Sequence, residues 1–222
     1  DYDNDGDQDL YVTNYGSSKL FRNNGDATFS DVTLDSLEFL YHSRASTGCA
    51  WGDYDLDGLL DLLVVHHINQ HTPVITATGE SHLIIGGLTL FRAQTDGTFK
   101  DVTALLGDNS SPSNAMRGGP RGNVWGAGFQ PIWIDFDNDS DLDIYVANDF
   151  GMYIHPNVFW RNDGISPEGR WNFVDTSKES GTDFPIYAMG LAVGDYDLDG
   201  FFDLFVTNIG QTILLKNSGD GL

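Results

Sequence analysis

Four stretches of the chain carry aspartates at alternating positions: DYDNDGDQDL from Asp1, DYDLDGLLDL from Asp53, DFDNDSDLDI from Asp135 and DYDLDGFFDL from Asp195. Carboxylates at positions 1, 3 and 5 of one short loop repel each other unless a cation lies between them. Hard oxygen donors in this number suit calcium, which takes six to eight of them at flexible geometry. The spacing offers side-chain oxygens from positions 1, 3, 5 and 9 and a backbone carbonyl from position 7. The first candidate site is Asp1, Asp3, Asp5, the Asp7 carbonyl and Asp9; the second is Asp53, Asp55, Asp57, the Leu59 carbonyl and Asp61. The third is Asp135, Asp137, Asp139, the Asp141 carbonyl and Asp143; the fourth is Asp195, Asp197, Asp199, the Phe201 carbonyl and Asp203. Up to four Ca²⁺ ions are expected.

Position 6 is expected to make the sharp turn with positive φ, which is cheap only without a Cβ. Gly6, Gly58 and Gly200 meet that need, whereas Ser140 does not. The third site is therefore expected to be weaker but present. The EF-hand, which uses a similar loop, requires Glu at position 12 and flanking helices. Position 12 is Val12, Val64, Val146 or Val206, each in a strand-like run, so the EF-hand is excluded.

The elements that hold these loops recur with them. Each loop runs into a β-rich stretch (YVTN, LVVH, YVAN, FVTN), followed by LFRNNG from Leu20, LFRAQTDG from Leu90, FWRNDG from Phe159 or LLKNSGDG from Leu214. A further signature is TFSDVT from Thr28, TFKDVT from Thr98 and NFVDTS from Asn172. Later loops are entered through CAWGD, PIWID and LAVGD. Each unit thus offers four strands, the sequence form of a β-propeller blade. The fold class expected is all-β, a propeller of four-stranded antiparallel blades in one domain spanning 1–222. The repeat units are 1–52, 53–134 with inserts near 68–88 and 106–130, 135–194 and 195–222. That is about three and a half blades, so further blades of a longer chain, or a partner chain, are expected to complete the ring. The aromatic at position 2 (Tyr2, Tyr54, Phe136, Tyr196) and the apolar residue at position 10 are expected to pack beneath the loop. Arg22, Arg92, Arg161 and Lys216, which recur on the third strand, are expected to pair with neighbouring carboxylates.

On these motifs the chain resembles the FG-GAP/VCBS-type calcium-binding propeller repeats. WGDYDLDG, DLDIYVANDFG, LFRNNGDATFSDVT and AMGLAVGDYDLDG are most similar to the branch that includes cartilage acidic protein and the ASPIC/UnbV-type proteins. The resemblance implies a ring of commonly seven blades, calcium in the loops, and an extracellular, cell-surface or periplasmic setting. It does not select a ligand, because fold alone does not choose function. A binding or assembly module for another protein is the reading carried forward; the alternatives are a lectin-like module and the non-catalytic part of a polysaccharide-acting enzyme.

The inserts are where a ligand site is expected, since binding residues concentrate on loops over a rigid scaffold. The first contains His66, His67, His71 and His82, read as structural or solvated. The second carries Arg117, Arg121 and Trp125, residue types that dominate interface hot spots. It also holds the Asn109-Ser110-Ser111 sequon. No nucleophile–base arrangement or phosphate loop stands out, so no catalysis is expected.

Composition agrees. The net charge is −22, from 33 acidic against 11 basic residues, which disfavours nucleic acid as a partner. Cys49 is the only cysteine, so no intrachain disulfide and no thiolate metal cluster is available. The apolar runs are too short to span a bilayer. Eighteen of the acidic residues lie in the four loops, and four calcium ions would bring −22 to −14.

Overall fold

The structure, a computed structural model, describes residues 1–37, 45–67, 69–75, 81–84, 86–106 and 126–219. It is built almost wholly of antiparallel sheet. Strands β1 (Leu10–Val12), β2 (Lys19–Asn23) and β3 (Phe29–Asp31) form the first sheet in that order. After a one-turn helix at Thr33–Ser36, β4 (Ala45–Gly52) and β5 (Asp61–His67) open the second sheet. A separate hairpin of β6 (Asn69–Ile75) and β7 (Ser81–Ile84) intervenes, and β8 (Gly87–Ala93) and β9 (Phe99–Asp101) complete the sheet as β4-β5-β8-β9. The third sheet is β10 (Ala127–Ile134), β11 (Asp143–Asp149), β12 (Val158–Ile165) and β13 (Trp171–Asp175). The fourth is β14 (Ala188–Gly194), β15 (Asp203–Asn208) and β16 (Ile213–Leu215).

The two complete sheets have the four strands that the motifs imply, each paired antiparallel with the next. The sheets begin one strand earlier than the sequence period, because the strand entering each acidic loop pairs with the strand leaving it. Gly52 sits opposite Asp61, Ile134 opposite Asp143 and Gly194 opposite Asp203. The second, third and fourth loops are thus the hairpins between the first two strands of their sheets, while the first loop leads directly into β1.

Successive sheets stack face to face like blades, and the alternation of side chains along a strand decides which neighbour each residue meets. On β5, Leu62 and Val64, together with Phe99 of β9, face Tyr2 and Leu20 of the first repeat, while Leu63 and Val65 face the third sheet with Ile144, Val146 and Trp160. The other face of the third sheet, with Tyr145, Ala147 and Phe159, packs on Leu204 and Val206 of the fourth. Because β5 and β11 are covered on both faces, they read as continuous apolar runs rather than alternating ones.

The entering strands pack closely on one another. A Cβ at Gly128 of β10 would lie 2.7 Å from Val65 Cβ, a distance no side chain tolerates. Thr47 Oγ1 donates to the Gly128 carbonyl at 2.6 Å, and Trp133 Nε1 to the Ala50 carbonyl at 3.3 Å. Among the described residues no helix is long and apolar enough to cross a membrane.

Two packing expectations need correction. Tyr2, Tyr54 and Phe136 are buried beneath their loops, but Tyr196 is exposed. Likewise Leu62, Ile144 and Leu204 are buried at position 10, whereas Leu10 is exposed. The physical reason is that these residues pack against the neighbouring sheet, not their own loop. Tyr54, for example, stacks 6.2 Å from Trp133 and meets Trp171 edge-on at 5.7 Å. Tyr196 and Leu10 face away from the other three sheets.

Candidate metal centres

Each acidic loop is held by the same internal hydrogen bonds. The carboxylate at position 1 accepts from the N–H at position 6: Gly6 to Asp1, Gly58 to Asp53, Ser140 to Asp135 and Gly200 to Asp195, at 2.9–3.1 Å. Position 5 accepts from the N–H of position 7: Asp7 to Asp5, Leu59 to Asp57, Asp141 to Asp139 and Phe201 to Asp199. These bonds bend the backbone back over the carboxylates. Position 6 has positive φ throughout, 97° at Gly6, 85° at Gly58, 93° at Gly200 and 77° at Ser140. The expectation of a left-handed residue there therefore holds, strain at Ser140 included.

Ser140→Gly should relieve that strain. The left-handed conformation costs a non-glycine residue about 1 kcal/mol, and 1 kcal/mol moves the melting temperature of a chain this size by about 2–4 °C. Glycine's extra freedom in the unfolded chain offsets part of the gain. A thermal melt of the metal-free variant should show a rise of about 2 °C, and a fall would refute the strain.

Aspartates at positions 1, 3 and 5 converge in three loops. One oxygen each from Asp1, Asp3 and Asp5 lies within 4.8 Å of the others, as do those of Asp53, Asp55 and Asp57 and of Asp195, Asp197 and Asp199. In the third loop the converging set is Asp135, Asp137 and Asp143. Position 9 has a further role in every copy. Asp61 accepts the Tyr54 N–H at 3.2 Å on one oxygen and the Ala93 N–H at 2.8 Å on the other. Asp9, Asp143 and Asp203 repeat this double acceptance, from Tyr2 and Asn23, Phe136 and Asn162, and Tyr196 and Asn217. Position 9 therefore clips the loop to the strand that follows the one leaving it, at β2, β8 and β12, and just past β16 in the fourth copy. The signal was in the sequence, an aspartate at that place in all four copies, but ligation alone accounted for it.

Several carboxylate oxygens are buried without a hydrogen-bond partner: Asp1 Oδ1, Asp3 Oδ1, both oxygens of Asp55 and Asp137 Oδ1. Burial pushes the Asp61 carboxyl up to about 7 and that of Asp143 up to about 8, against the bonds from backbone N–H groups. Burial also raises Asp55 and Asp137, with neighbouring aspartates adding to it. Anions so placed are costly until a cation neutralises them.

The recurring basic residues divide into two kinds. Arg92 Nη2 lies 2.5 Å from Asp55 Oδ2 and 3.1 Å from Asp57 Oδ2; the first is a close ionic contact without hydrogen-bond alignment. Lys216 contacts Asp197 and lies 3.3 Å from Asp199. Arg161 instead turns to Asp163, outside the loop, at 2.6 Å. Arg22 forms no ion pair among the described residues. In the second and fourth loops a side-chain cation thus stands against the carboxylates at positions 3 and 5.

Position 4 was not anticipated. It too is left-handed, with φ 60° at Asn4, 55° at Leu56, 60° at Asn138 and 62° at Leu198. Asn4 Nδ2 donates to the Gly58 carbonyl at 2.9 Å and Asn138 Nδ2 to the Gly200 carbonyl at 3.1 Å, linking one loop to the next. Asparagine tolerates that backbone readily; the two leucines hid the pattern.

The first-insert histidines are structural where described. His66 is buried, with Nδ1 3.0 Å from Ser46 Oγ and Nε2 3.0 Å from Thr89 Oγ1. His67 Nε2 lies 3.2 Å from Asp149 Oδ2 on the third sheet. His71 and His82 fall on β6 and β7, and their side chains lie outside the described set. Arg117, Arg121 and Trp125, with the Asn109 sequon, lie outside the described residues.

A family model for the FG-GAP-like repeat matches residues 1–64 and 135–206, well over half of the chain. The chain belongs to the FG-GAP-like repeat family. Those two stretches contain the first, second, third and fourth acidic loops, so the family signature and the carboxylate clusters coincide. No curated protein matches this FG-GAP-like chain. Among solved structures, one described as the structural basis of specific recognition of non-reducing terminal N-acetylglucosamine by an Agrocybe aegerita lectin is similar over 96% of this chain at 14% identity, with a TM-score of 0.32. The chain covers 64% of the length of that structure.

Proposed function

We propose that this FG-GAP-like chain is a calcium-stabilised propeller module that binds or assembles with another protein and performs no catalysis. The observation that carries the calcium reading is the set of buried carboxylate oxygens without hydrogen bonds in loops whose aspartates converge to within 4.8 Å. Oxygens on opposite sides of one calcium ion, each about 2.3–2.6 Å from it, are separated by about 5 Å. The donor set is oxygen only, which suits calcium rather than zinc or copper. Positions 1, 3 and 5 would hold the ion, with position 9 contributing in the third loop.

Bound calcium would pin the loop leading into β1 and the hairpins β4–β5, β10–β11 and β14–β15, stiffening the four sheets and leaving the inserts free to vary. Calcium loops of this kind are filled where calcium is abundant, which supports an extracellular, cell-surface or periplasmic setting. The wording of WGDYDLDG and DLDIYVANDFG supports the ASPIC/UnbV-like branch, and the four stacked sheets support a closed ring completed by further blades. Isothermal titration of calcium into chelator-stripped protein tests the reading. Saturable binding of up to four ions is expected, and no heat beyond dilution would refute it.

Arg92 bears on the same experiment. Its guanidinium neutralises Asp55 and Asp57 before any ion arrives, so calcium must displace it. The partly exposed Arg92–Asp57 pair is worth about 1 kcal/mol, which corresponds to about fivefold in affinity. Arg92→Gln should tighten calcium binding at the second loop by that factor and lower the stability of the calcium-free protein. Weaker calcium binding in this variant would show that Arg92 assists the site instead.

A further inference from the structure

At the junction of the second and third sheets, two residues of the third sheet close on Tyr54. Asn162 Nδ2 donates to the Tyr54 carbonyl at 3.0 Å, and the Trp171 indole meets the Tyr54 ring edge-on at 5.7 Å. At the junction of the third and fourth sheets Asn217 Nδ2 repeats the first contact, on the Phe136 carbonyl at 2.6 Å. The junction of the first and second sheets lacks both devices. Ala93 stands where Asn162 and Asn217 stand, so the Tyr2 carbonyl receives no amide from that position. Trp171 lies two residues ahead of Phe173, and the residue two ahead of Phe99 is Gly97. The rest of the aromatic set is the same at both junctions. Phe173 lies 5.6 Å from Tyr54 and Phe99 5.8 Å from Tyr2, while Trp133 stacks on Tyr54 at 6.2 Å and Trp51 on Tyr2 at 6.4 Å. Among the described residues, the Trp171 ring alone has no counterpart at Tyr2. A Cβ at Gly97 would meet nothing within 4 Å.

A cleft of about 480 Å³ opens at this internal junction, bordered by Asp3 of the first acidic loop and Leu59 of the second. Tyr2, Val32 and Leu59 supply its apolar lining, and Gly97 and Arg22 line it from the second and first sheets. A concave, partly apolar site of this volume with a few polar groups to orient a ligand suits a small molecule. The charge that would orient one is Arg22. Its counterpart Arg92 contacts Asp55 and Asp57, and Arg161 pairs with Asp163. Arg22 is exposed and makes no ion pair or hydrogen bond among the described residues. Of the carboxylates bordering the cleft, Asp3 belongs to the acidic loop and Asp35 is exposed. Asp96 is turned to Thr98, accepting from its N–H at 3.1 Å and its Oγ1 at 2.6 Å.

We propose that this cleft binds a small aromatic carboxylate. The ring takes the place against Tyr2 that the Trp171 indole takes against Tyr54, and the carboxylate pairs with Arg22. Ring pairs in such geometry gain beyond the area they bury, and a guanidinium meets a carboxylate through its planar fork of donors. The two features select one class together: a ring without a carboxylate leaves Arg22 unpaired, and a carboxylate without a ring leaves the cleft unfilled. The site stands on the difference between two internal junctions, independently of the calcium and protein-binding readings.

Indole-3-acetate, titrated into the chain in the presence of calcium, tests it by calorimetry and by amide shifts. Saturable binding with a Kd of about 1 mM is expected for a ligand of this size. The neutral indole-3-acetamide should bind about fivefold more weakly, and acetate without the ring should not saturate. Arg22→Gln should remove the preference for the carboxylate while leaving the affinity for the amide unchanged. Because Arg22 is exposed and unpaired, this variant should fold as the parent chain does, which a thermal melt checks. The amide shifts should centre on residues 94–97 and 35–36. Absence of saturation, equal affinity for the two indoles, a preference that survives Arg22→Gln, or shifts centred elsewhere would each overturn the assignment.

Discussion

Stripping calcium from the protein is expected to lower its melting temperature by about 5–10 °C for each loop that loses an ion. The magnitude follows from mass action: an ion present at a hundred times its dissociation constant stabilises the folded state by about 2.7 kcal/mol. For a chain of 222 residues, 1 kcal/mol corresponds to about 2–4 °C. The effect should be large because the calcium-free loops are internally repelled. Asp55 and Asp137 hold buried oxygens that no hydrogen bond satisfies. Two loops have a partial substitute, Arg92 in the second and Lys216 in the fourth, and should lose less than the first and third. Asp197→Ala should remove the fourth loop's share alone. Magnesium should replace calcium poorly, because it demands near-octahedral geometry and gives up its water reluctantly. A melt unchanged by excess chelator would sink the calcium reading.

The loops and the blades were legible in the sequence because both are local. An aspartate spacing of two and a hairpin between paired strands depend on residues within one unit, and their recurrence left little room for another architecture. What stayed hidden depends on neighbours. The exposure of Tyr196 follows from what stacks on its sheet, whereas its motif is the same as that of buried Tyr54. Asn162 is one residue of the recurring FWRNDG signature and was given no role there, yet its amide crosses a sheet junction to the Tyr54 carbonyl. Ala93 stands where the other copies have asparagine, and only the junction shows that a cross-link is lost. The recurring basic residues behaved unequally for the same reason: Arg92 reaches its loop, while Arg161 is drawn to Asp163, a residue its counterparts lack.

The double role of position 9 yields the second large effect. Within the second loop, Asp57→Ala and Asp61→Ala remove the same functional group from the same candidate site, but the outcomes should separate. Asp57 is solvent-facing; without it the Leu59 N–H turns to water and the Arg92 contact is lost, about 1 kcal/mol or less in the absence of calcium. Asp61 is fully buried, and its loss leaves the Tyr54 and Ala93 N–H groups without acceptors. Each orphaned buried donor costs about 1–3 kcal/mol. Removing a carboxyl already pushed up to about 7 by burial recovers part of this, since a desolvated charge goes with it. A net loss of about 2–4 kcal/mol is expected with or without calcium, whereas Asp57→Ala should show most of its deficit only when calcium is present. Urea melts of both variants in chelator and in excess calcium measure this difference. Equal destabilisation of the two in chelator would mean that Asp61 is a ligand and no more, and that the clip between loop and third strand does not hold the blade together.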